Sequence, residues 1–442
     1  ETVIKPLEEQ NGGIVEVNAA PGLRMHLSPS FGKGRQVGEA MIANLYAPGD
    51  DGRIPVVAVT GTNGKTTTVR LTGHLLRQGG LRVGMTNTDG VYVNGRQTDS
   101  GDCSGPRSAR NVLMHPEVDA AVFETARGGL LREGLAFDKC QVAIVTNIGA
   151  GDHLGLNYIT TVEDLAVLKR VIVQNVAENG TAVLNADDPI VVNMAPNCPG
   201  SVTFFSADPG NPALATHRAQ GKRVVTVEDG ALVAVEAHRT VAELPLADIP
   251  LTAGGAIGFQ VDNTMAAVAA AWALGLDWGV IRAGLKTFVS DAHAVPGRFN
   301  LFNYRGATLI ADYGHNPDAI EALSRAVEKM PANKRSVVIS GAGDRRDEDI
   351  REQTRILGRV FDEVVLYQDA CQRGREDGEV VALLREGLQG AKQVKHVQEI
   401  EGEFRAIDAA LERLQDGDLC LILIDQVQEA LAHIGERVKM AA

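Results

Sequence analysis

The chain has 442 residues, 44% of them hydrophobic, and a formal net charge of -13. This length predicts about three domains at roughly 150 residues each, and the acidic balance excludes a sequence-independent nucleic-acid binder, which needs a basic surface. The five cysteines are scattered without a CxxC pair, so neither a zinc site nor a disulfide framework is indicated. The longest apolar stretch, residues 265–276, is too short to span a bilayer. We therefore expect a cytoplasmic enzyme for small molecules or a cationic substrate, without nucleic-acid or membrane partners.

Residues 1–54 form a lead segment that ends in the turn-rich stretch "YAPGDDGRIP". Because the segment begins with Glu1 rather than Met and resembles the middle of a domain, we expect the chain to be part of a longer polypeptide. Glu16 and Asn18 are two residues apart, so on a strand they would point to one face.

Residues 55–296 alternate apolar strands with helical patterns. The strands are predicted at 55–60, 81–86, 118–124, 141–148 and 181–189, with a helix near 162–177. This alternation predicts a mostly parallel sheet covered by helices on both faces. Short β-prone runs between 200 and 252 predict a small antiparallel subsheet.

Residues 297–442 follow a hinge at 290–300. Five apolar runs, each followed by a helical pattern, predict a second, Rossmann-like doubly wound domain. The fold class is therefore α/β, with a central domain at 55–296 and a C-terminal domain at 297–442.

The stretch "VTGTNGKTTT" runs from a buried strand through a Gly-rich turn into a helix start. Such a turn directs backbone N–H groups at a phosphate, to which Lys65 adds a charge and Thr66 a hydroxyl suited to Mg²⁺. Val59 stands where the general P-loop pattern has its first glycine, so this is a shortened form. The predicted nucleotide-binding residues of the turn are Gly61, Thr62, Asn63, Gly64, Lys65, Thr66 and Thr67.

Polar residues follow several of the predicted strands, where parallel sheets bind ligands. Glu124 ends an apolar strand, where a carboxylate needs a cation, and His153 follows the next strand. A lone histidine is more often structural, and Mg²⁺ prefers oxygen ligands. Lys169 lies on a helix, where a solvated lysine is the default. Asp312 ends a strand, and Asn316 precedes Pro at a helix start as a cap.

Seven motifs in this order resemble the Mur ligase family of ATP-dependent amide-forming enzymes: "GTNGKTTT", Glu124 at its strand end, "TNI" with "DHL", "LNADDP", "PGRF", "DYGHNP" and "GAGDRRD". The resemblance covers residues 55–442. It implies a Mur ligase-like P-loop central domain, a Rossmann-like C-terminal domain, and ATP and Mg²⁺ as cofactors.

The resemblance also implies roles for single residues. Lys65, Glu124 and His153 take catalytic positions, the last two as Mg²⁺ ligands beside Thr66. Lys169 matches a position that many members convert to a carbamate, which would make it an anionic Mg²⁺ ligand. The remaining implied nucleotide contacts are Asn263, Arg298 and Asp312, although "QVDN" around Asn263 departs from the usual HN-type adenine motif.

The lead region is similar to the end of an ATP-grasp domain, in which Glu16 and Asn18 would hold Mg²⁺ at a site that is incomplete here. An ATP-grasp tail joined to a Mur-like part implies a polymerising enzyme, a homo-oligomer in our expectation, that adds arginine to aspartate side chains of an Asp/Arg polymer primer. Asp344 and Asp347 are candidates for binding the arginine guanidinium. Two alternatives stay open: a Mur-type ligase for folylpolyglutamate or muramyl peptides, and a catalytically silent assembly module.

Overall fold

The computed structural model describes residues 5, 6, 9–11, 16–149, 151, 152, 154, 155, 158–369 and 373–441. The chain divides into two compact units, residues 1–54 and 55–442. The first unit contains two short helices, α1 (Arg24–Leu27) and α2 (Val37–Leu45), and neither has a buried residue. Within the described part of the chain, no helix has the length and apolarity needed to cross a membrane.

The expected strand around Glu16 and Asn18 is a wrong prediction. Both residues lie in exposed, irregular backbone. An extended segment becomes a strand only when another strand satisfies its backbone groups. The two side chains nevertheless meet, because the Asn18 amide donates to Glu16 Oε1 at 3.1 Å.

The second unit begins with an 11-stranded sheet whose order is β11-β10-β9-β8-β7-β6-β1-β5-β2-β3-β4. Its strands are β1 (Val56–Thr60), β2 (Val83–Asn87), β3 (Gly90–Val93), β4 (Arg96–Ser100), β5 (Ala120–Glu124), β6 (Cys140–Val145), β7 (Val176–Asn185), β8 (Ser201–Ser206), β9 (Val224–Glu228), β10 (Ala231–Glu236) and β11 (Arg239–Pro245). Its helices are α3 (Lys65–Gln78), α4 (Pro106–Leu113), α5 (Arg127–Glu133), α6 (Val162–Lys169), α7 (Val171–Gln174), α8 (Pro189–Val192), α9 (Pro212–Ala219), α10 (Gly258–Ala273) and α11 (Trp278–Thr287).

The central strand β1 pairs in parallel with β5 and β6, as the alternating pattern predicts. The antiparallel strands β9, β10 and β11 extend this same sheet, and β8 joins them to it through parallel pairing with β7 and β9. The hairpin of β3 and β4 was not predicted. The helix predicted at 162–177 forms two pieces that end at Gln174, because β7 begins at Val176.

Helices α3 and α10 pack against each other over the central strands. The small side chains of Ala266, Ala267 and Ala270 are fully buried and permit this close approach, and Leu71 and Leu75 of α3 complete the core. A rigid layer therefore holds the start of α3 in place beside α10.

The C-terminal part is a six-stranded sheet of order β12-β13-β17-β14-β15-β16. Its elements are β12 (Asn300–Tyr304), β13 (Ala307–Asp312), α12 (Pro317–Glu328), β14 (Arg335–Ile339), α13 (Asp347–Leu357), β15 (Glu363–Gln368), α14 (Glu379–Gly387), β16 (His396–Glu401), α15 (Glu403–Glu412), β17 (Leu419–Leu423) and α16 (Val427–Ala441). Five strands are parallel, as predicted, and β12 is an additional antiparallel edge strand.

Candidate active site

The turn between β1 and α3 has the backbone that a phosphate loop requires. Gly64 precedes the helix with a φ of +84°, a conformation that L side chains rarely adopt. A Cβ at Gly61 would lie 1.9 Å from Thr146 Oγ1, so this position admits no side chain. The first N–H groups of α3 lack intrahelical partners and form an anion site together with the helix dipole.

We expect Gly64→Ala to weaken ADP binding by at least tenfold, on the order of one charge-assisted hydrogen bond. The added Cβ would meet Asn263 Oδ1 at 2.2 Å and would strain the backbone. Gly80→Ala is the matched control, because Gly80 also has a positive φ, +88°, but its Cβ would meet nothing within 4 Å. Equal ADP affinity in the two variants, measured by calorimetry, would remove this role from Gly64.

The loop is tied to the residues that follow β6. Thr62 N–H donates to Asn147 O at 2.9 Å, and Asn63 N–H donates to Asn147 Oδ1 at 2.9 Å. Thr146 Oγ1 donates to Asn63 O at 2.6 Å. These bonds fix the loop before any ligand binds.

Two lysines converge on the loop. Lys65 Nζ donates to Gly61 O at 3.1 Å and to Thr62 O at 3.0 Å, and Lys169 Nζ donates to Gly61 O at 2.8 Å. Lys169 is fully buried and pairs with Asp152 at 2.6 Å. Burial lowers the pKa of Lys169 to about 8, although Asp152 acts in the opposite direction. The default interpretation of Lys169 as a solvated helix residue is therefore wrong.

Glu124 lies at the end of β5 beside the start of α3. Thr66 Oγ1 donates to Glu124 Oε2 at 2.9 Å, and the Thr88 N–H donates to the same oxygen at 3.4 Å. Burial raises the pKa of Glu124, and the charges of Lys65 and Arg298 lower it by less. A buried carboxylate with incomplete charge compensation, next to a hydroxyl, fits a divalent cation.

His153, the other predicted Mg²⁺ ligand, lies outside the described residues. Among the residues that are described, no three histidine, cysteine, aspartate or glutamate side chains gather as a metal site would require. The described part of the candidate metal site is therefore Thr66 and Glu124.

Asn263 lies on α10 against the phosphate loop. Its amide donates to Gln260 Oε1 at 3.0 Å, and Thr68 Oγ1 donates to Asn263 Oδ1 at 3.4 Å. Thr67 is buried in the first turn of α3. Asn263 therefore stays a candidate nucleotide contact, and it lies next to Gly64.

The C-terminal part reaches the loop directly. Asn316 Nδ2 donates to Asn63 Oδ1 at 2.9 Å, and Asn316 Oδ1 caps α12 by accepting from the Ala319 N–H, as predicted. Arg345 Nη1 donates to Gly151 O at 2.5 Å. The structure thus brings residues of both predicted domains around one loop.

Arg298 and Asp312 lie close to each other, and Arg298 also acts on Glu124 through its charge. Both oxygens of Asp312 accept backbone N–H groups, from Phe299 at 2.7 Å and from Gly314 at 2.6 Å. Burial raises the pKa of Asp312 to about 6. Asp312 therefore fixes the turn that carries Arg298, and its predicted contact with the nucleotide stays a prediction.

Carboxylates surround an arginine at the carboxyl ends of the C-terminal strands. Arg373 lies 3.0 Å from Asp425 and 3.5 Å from Asp344. Burial and a hydrogen bond shared with Asp369 raise the pKa of Asp425 to about 6. Asp347 pairs instead with Arg375, at 2.8 Å.

Several residues of this site were not singled out from the sequence, among them Asn147, Thr88 and Arg345. Asn147 lies within the quoted motif "TNI", and Arg345 within "GAGDRRD". The position after a strand was the available signal, but the partners, 84 and 194 residues away, were not visible in local patterns.

Curated proteins similar to this chain include the cyanophycin synthetases of Crocosphaera subtropica and of a Synechocystis species. Each is 42% identical over 98% of the chain and over 50% of its own length. The chain thus spans about half the length of these relatives.

A similar solved structure is E. coli FolC in complex with ADP, with a TM-score of 0.64 at 22% identity; the match covers 88% of the chain and 90% of FolC. This likeness confirms the expected fold. Residues 59–271 match the Mur ligase middle domain, and residues 297–423 match the glutamate ligase domain of Mur ligases. Since these two domains follow one another over most of the larger unit, the chain belongs to the Mur ligase family.

Proposed function

We propose that the chain is the arginine-adding part of an ATP-dependent amide ligase. In this proposal it joins the α-amine of arginine to an aspartate side-chain carboxylate of a growing Asp/Arg polymer. The similarity to cyanophycin synthetases over 98% of the chain supports the polymer substrate. The observation that carries the proposal is the group formed by Lys65, Thr66 and Glu124 at the mouth of the loop.

The reaction follows from what these groups stabilise. A carboxylate oxygen attacks the γ-phosphorus of ATP, and ADP leaves with the electrons of the broken P–O bond. The amine nitrogen of arginine then attacks the carbonyl carbon of the acyl phosphate. Phosphate leaves, and the amine gives up its proton. Lys65 lies at the loop, where it would balance the negative charge that builds on the transferred group.

Thr66 and Glu124 would hold a Mg²⁺ ion, which would supply positive charge to the phosphate oxygens. Arg298 brings a second positive charge from the C-terminal part. Asn63 and Asn316, which bond to each other across the two parts, would keep water out as the parts close around ATP. We expect the hinge for this closure near residues 290–297.

We propose that Lys169 is carbamylated, as its position in the family implies. A pKa of about 8 means that the neutral amine, the form that reacts with CO₂, is populated near pH 8 and declines at lower pH. Enzyme equilibrated with ¹³CO₂ at pH 8 should therefore show a carbamate resonance that weakens toward pH 6. Lys169→Arg should lack it. An unchanged spectrum in that variant would contradict the assignment.

We propose that the guanidinium of bound arginine is recognised by Asp344 together with Asp425, which already surround the guanidinium of Arg373. Asp425→Asn should raise the KM for arginine about tenfold, the scale of a charged hydrogen bond, without changing the KM for ATP. Asp377→Asn, on the exposed surface, is the control. Asp344→Lys with unchanged arginine affinity would remove Asp344, and Asp347→Asn tests the more distant candidate in the same assay.

The two alternatives are tested with the same ADP-release assay. Arginine with an aspartate-containing polymer is compared with glutamate plus a folate and with amino acids plus a muramyl peptide. The proposal expects ADP only with arginine and polymer. Turnover with a folate or muramyl substrate would favour another Mur-type ligase, and no turnover with any substrate would favour a silent assembly module.

A further inference from the structure

A cavity of about 320 Å³ lies between helix α3, the β2–β3 hairpin and residues 287–294, which lead toward the C-terminal part. Its lining combines basic side chains with an apolar surface. The basic ones are Arg70, His74, Arg77 and His293, and Met85 and Phe288 are apolar. Arg70, His74 and Arg77 recur at helical spacing, so α3 turns one basic face toward this cavity.

Arg70 has an unmet hydrogen-bond donor in this cavity. Its side chain is only 6% exposed. Nη1 donates to Ala294 O at 3.1 Å, and Nη2 donates to Asp89 Oδ2 at 2.8 Å and to Tyr92 Oη at 2.9 Å. Nε is buried and has no hydrogen-bond acceptor among the described residues. A buried donor in this state is destabilising, so an acceptor oxygen from a ligand would be bound favourably there.

The cavity borders the reaction site. Arg70 follows Thr66 by one helical turn, and its partner Asp89 is close enough for its charge to act on Glu124. A ligand held by Arg70 therefore lies beside the carboxylate that reacts. A guanidinium selects a carboxylate by charge and by geometry, and the apolar surface accepts methylene groups.

Resting on the proposed function, we propose that this cavity binds the α-carboxylate of an arginine already attached to the polymer, on a unit next to the reacting aspartate. Such a unit carries its carboxylate on a long apolar side chain that ends in a guanidinium. Asp291 at the cavity supplies a carboxylate for that guanidinium. Free arginine has the same α-carboxylate, so the experiment separates the two sources.

Two variants address the cavity without depending on one another. Val289→Trp fills it from the rim, where Val289 is 47% exposed, and leaves the ion pair of Arg70 in place. Arg70→Lys keeps a cation for Asp89 and removes Nε. Val241→Trp, at a position on β11 that is 38% exposed, is the matched control.

Steady-state ADP release gives the KM for polymer and for arginine separately. Val289→Trp and Arg70→Lys should raise the KM for polymer at least about tenfold, and the KM for arginine should change less than about twofold. The control should leave both constants unchanged. An unchanged polymer KM in Val289→Trp overturns the proposal, and so does a rise in the arginine KM alone, which would assign the cavity to free arginine.

Direct binding removes the dependence on turnover. β-Aspartyl-arginine should bind the wild-type chain more tightly than Val289→Trp, whereas β-aspartyl-agmatine, which lacks only the carboxylate, should bind both alike and weakly. Equal affinity of the two probes for the wild-type chain overturns the carboxylate assignment. If the wild-type chain releases no ADP with arginine and polymer, the proposed function fails, whatever the probes show.

Discussion

Lys65→Ala should abolish arginine-dependent ATP turnover, with a loss on the order of 10²-fold to 10³-fold, while the protein stays folded. The magnitude is that of removing one charged donor from a developing negative charge. The fold should persist because Lys65 is half-buried and bonds only to loop carbonyls, and Lys169 still donates to Gly61 O. ADP release and the unfolding temperature are measured together.

Lys139→Ala is the control for this prediction, since Lys139 is an exposed lysine that precedes β6. Its turnover should equal that of the wild type. If Lys65→Ala retains turnover within a few-fold of this control, the loop does not transfer the phosphoryl group in the way described.

Glu124→Gln should cause a loss of similar size, on the order of 10²-fold or more, and should at the same time stabilise the metal-free protein. Because burial raises the pKa of Glu124 above its ordinary 4.5, the folded state binds a proton more readily than the unfolded state. The stability of the metal-free wild type therefore falls as the pH rises above about 4.5, and the glutamine variant lacks this contribution.

Thermal unfolding across pH 4 to 8, with and without Mg²⁺ and ADP, checks this second prediction. The wild type should gain stability from Mg²⁺ and ADP together, and Glu124→Gln should gain less. Glu178→Gln, at an exposed position on β7, is the control. A variant that binds Mg²⁺ and ADP as well as the wild type does would separate Glu124 from the metal.

The parts of the site that local sequence predicted are those whose chemistry depends on neighbours along the chain. The strand, turn and helix from Val56 to Gln78 are present, and Asn316 caps its helix. The glycines of the turn and the carboxylate at a strand end follow rules of local backbone and burial. These features were accessible without a structure.

The rest of the site depends on contacts between distant segments. Asn316 bonds to Asn63, which lies 253 residues earlier. Asp152 converts Lys169 from an ordinary helix residue into a buried ion pair. Asp312, expected to touch the nucleotide, instead holds two backbone N–H groups. Such pairings depend on the packing of two sheets, which composition and periodicity do not encode residue by residue.

Transfer of ¹⁸O from the acceptor tests the central claim most directly. The polymer is prepared with ¹⁸O in its aspartate side-chain carboxylates and is incubated with the chain, ATP, Mg²⁺ and arginine. If the carboxylate attacks the γ-phosphorus, one ¹⁸O atom should appear in the released phosphate for each arginine that is joined. Arginine joined to the polymer with unlabelled phosphate would contradict the acyl-phosphate route, and so would ADP formation without a heavier polymer.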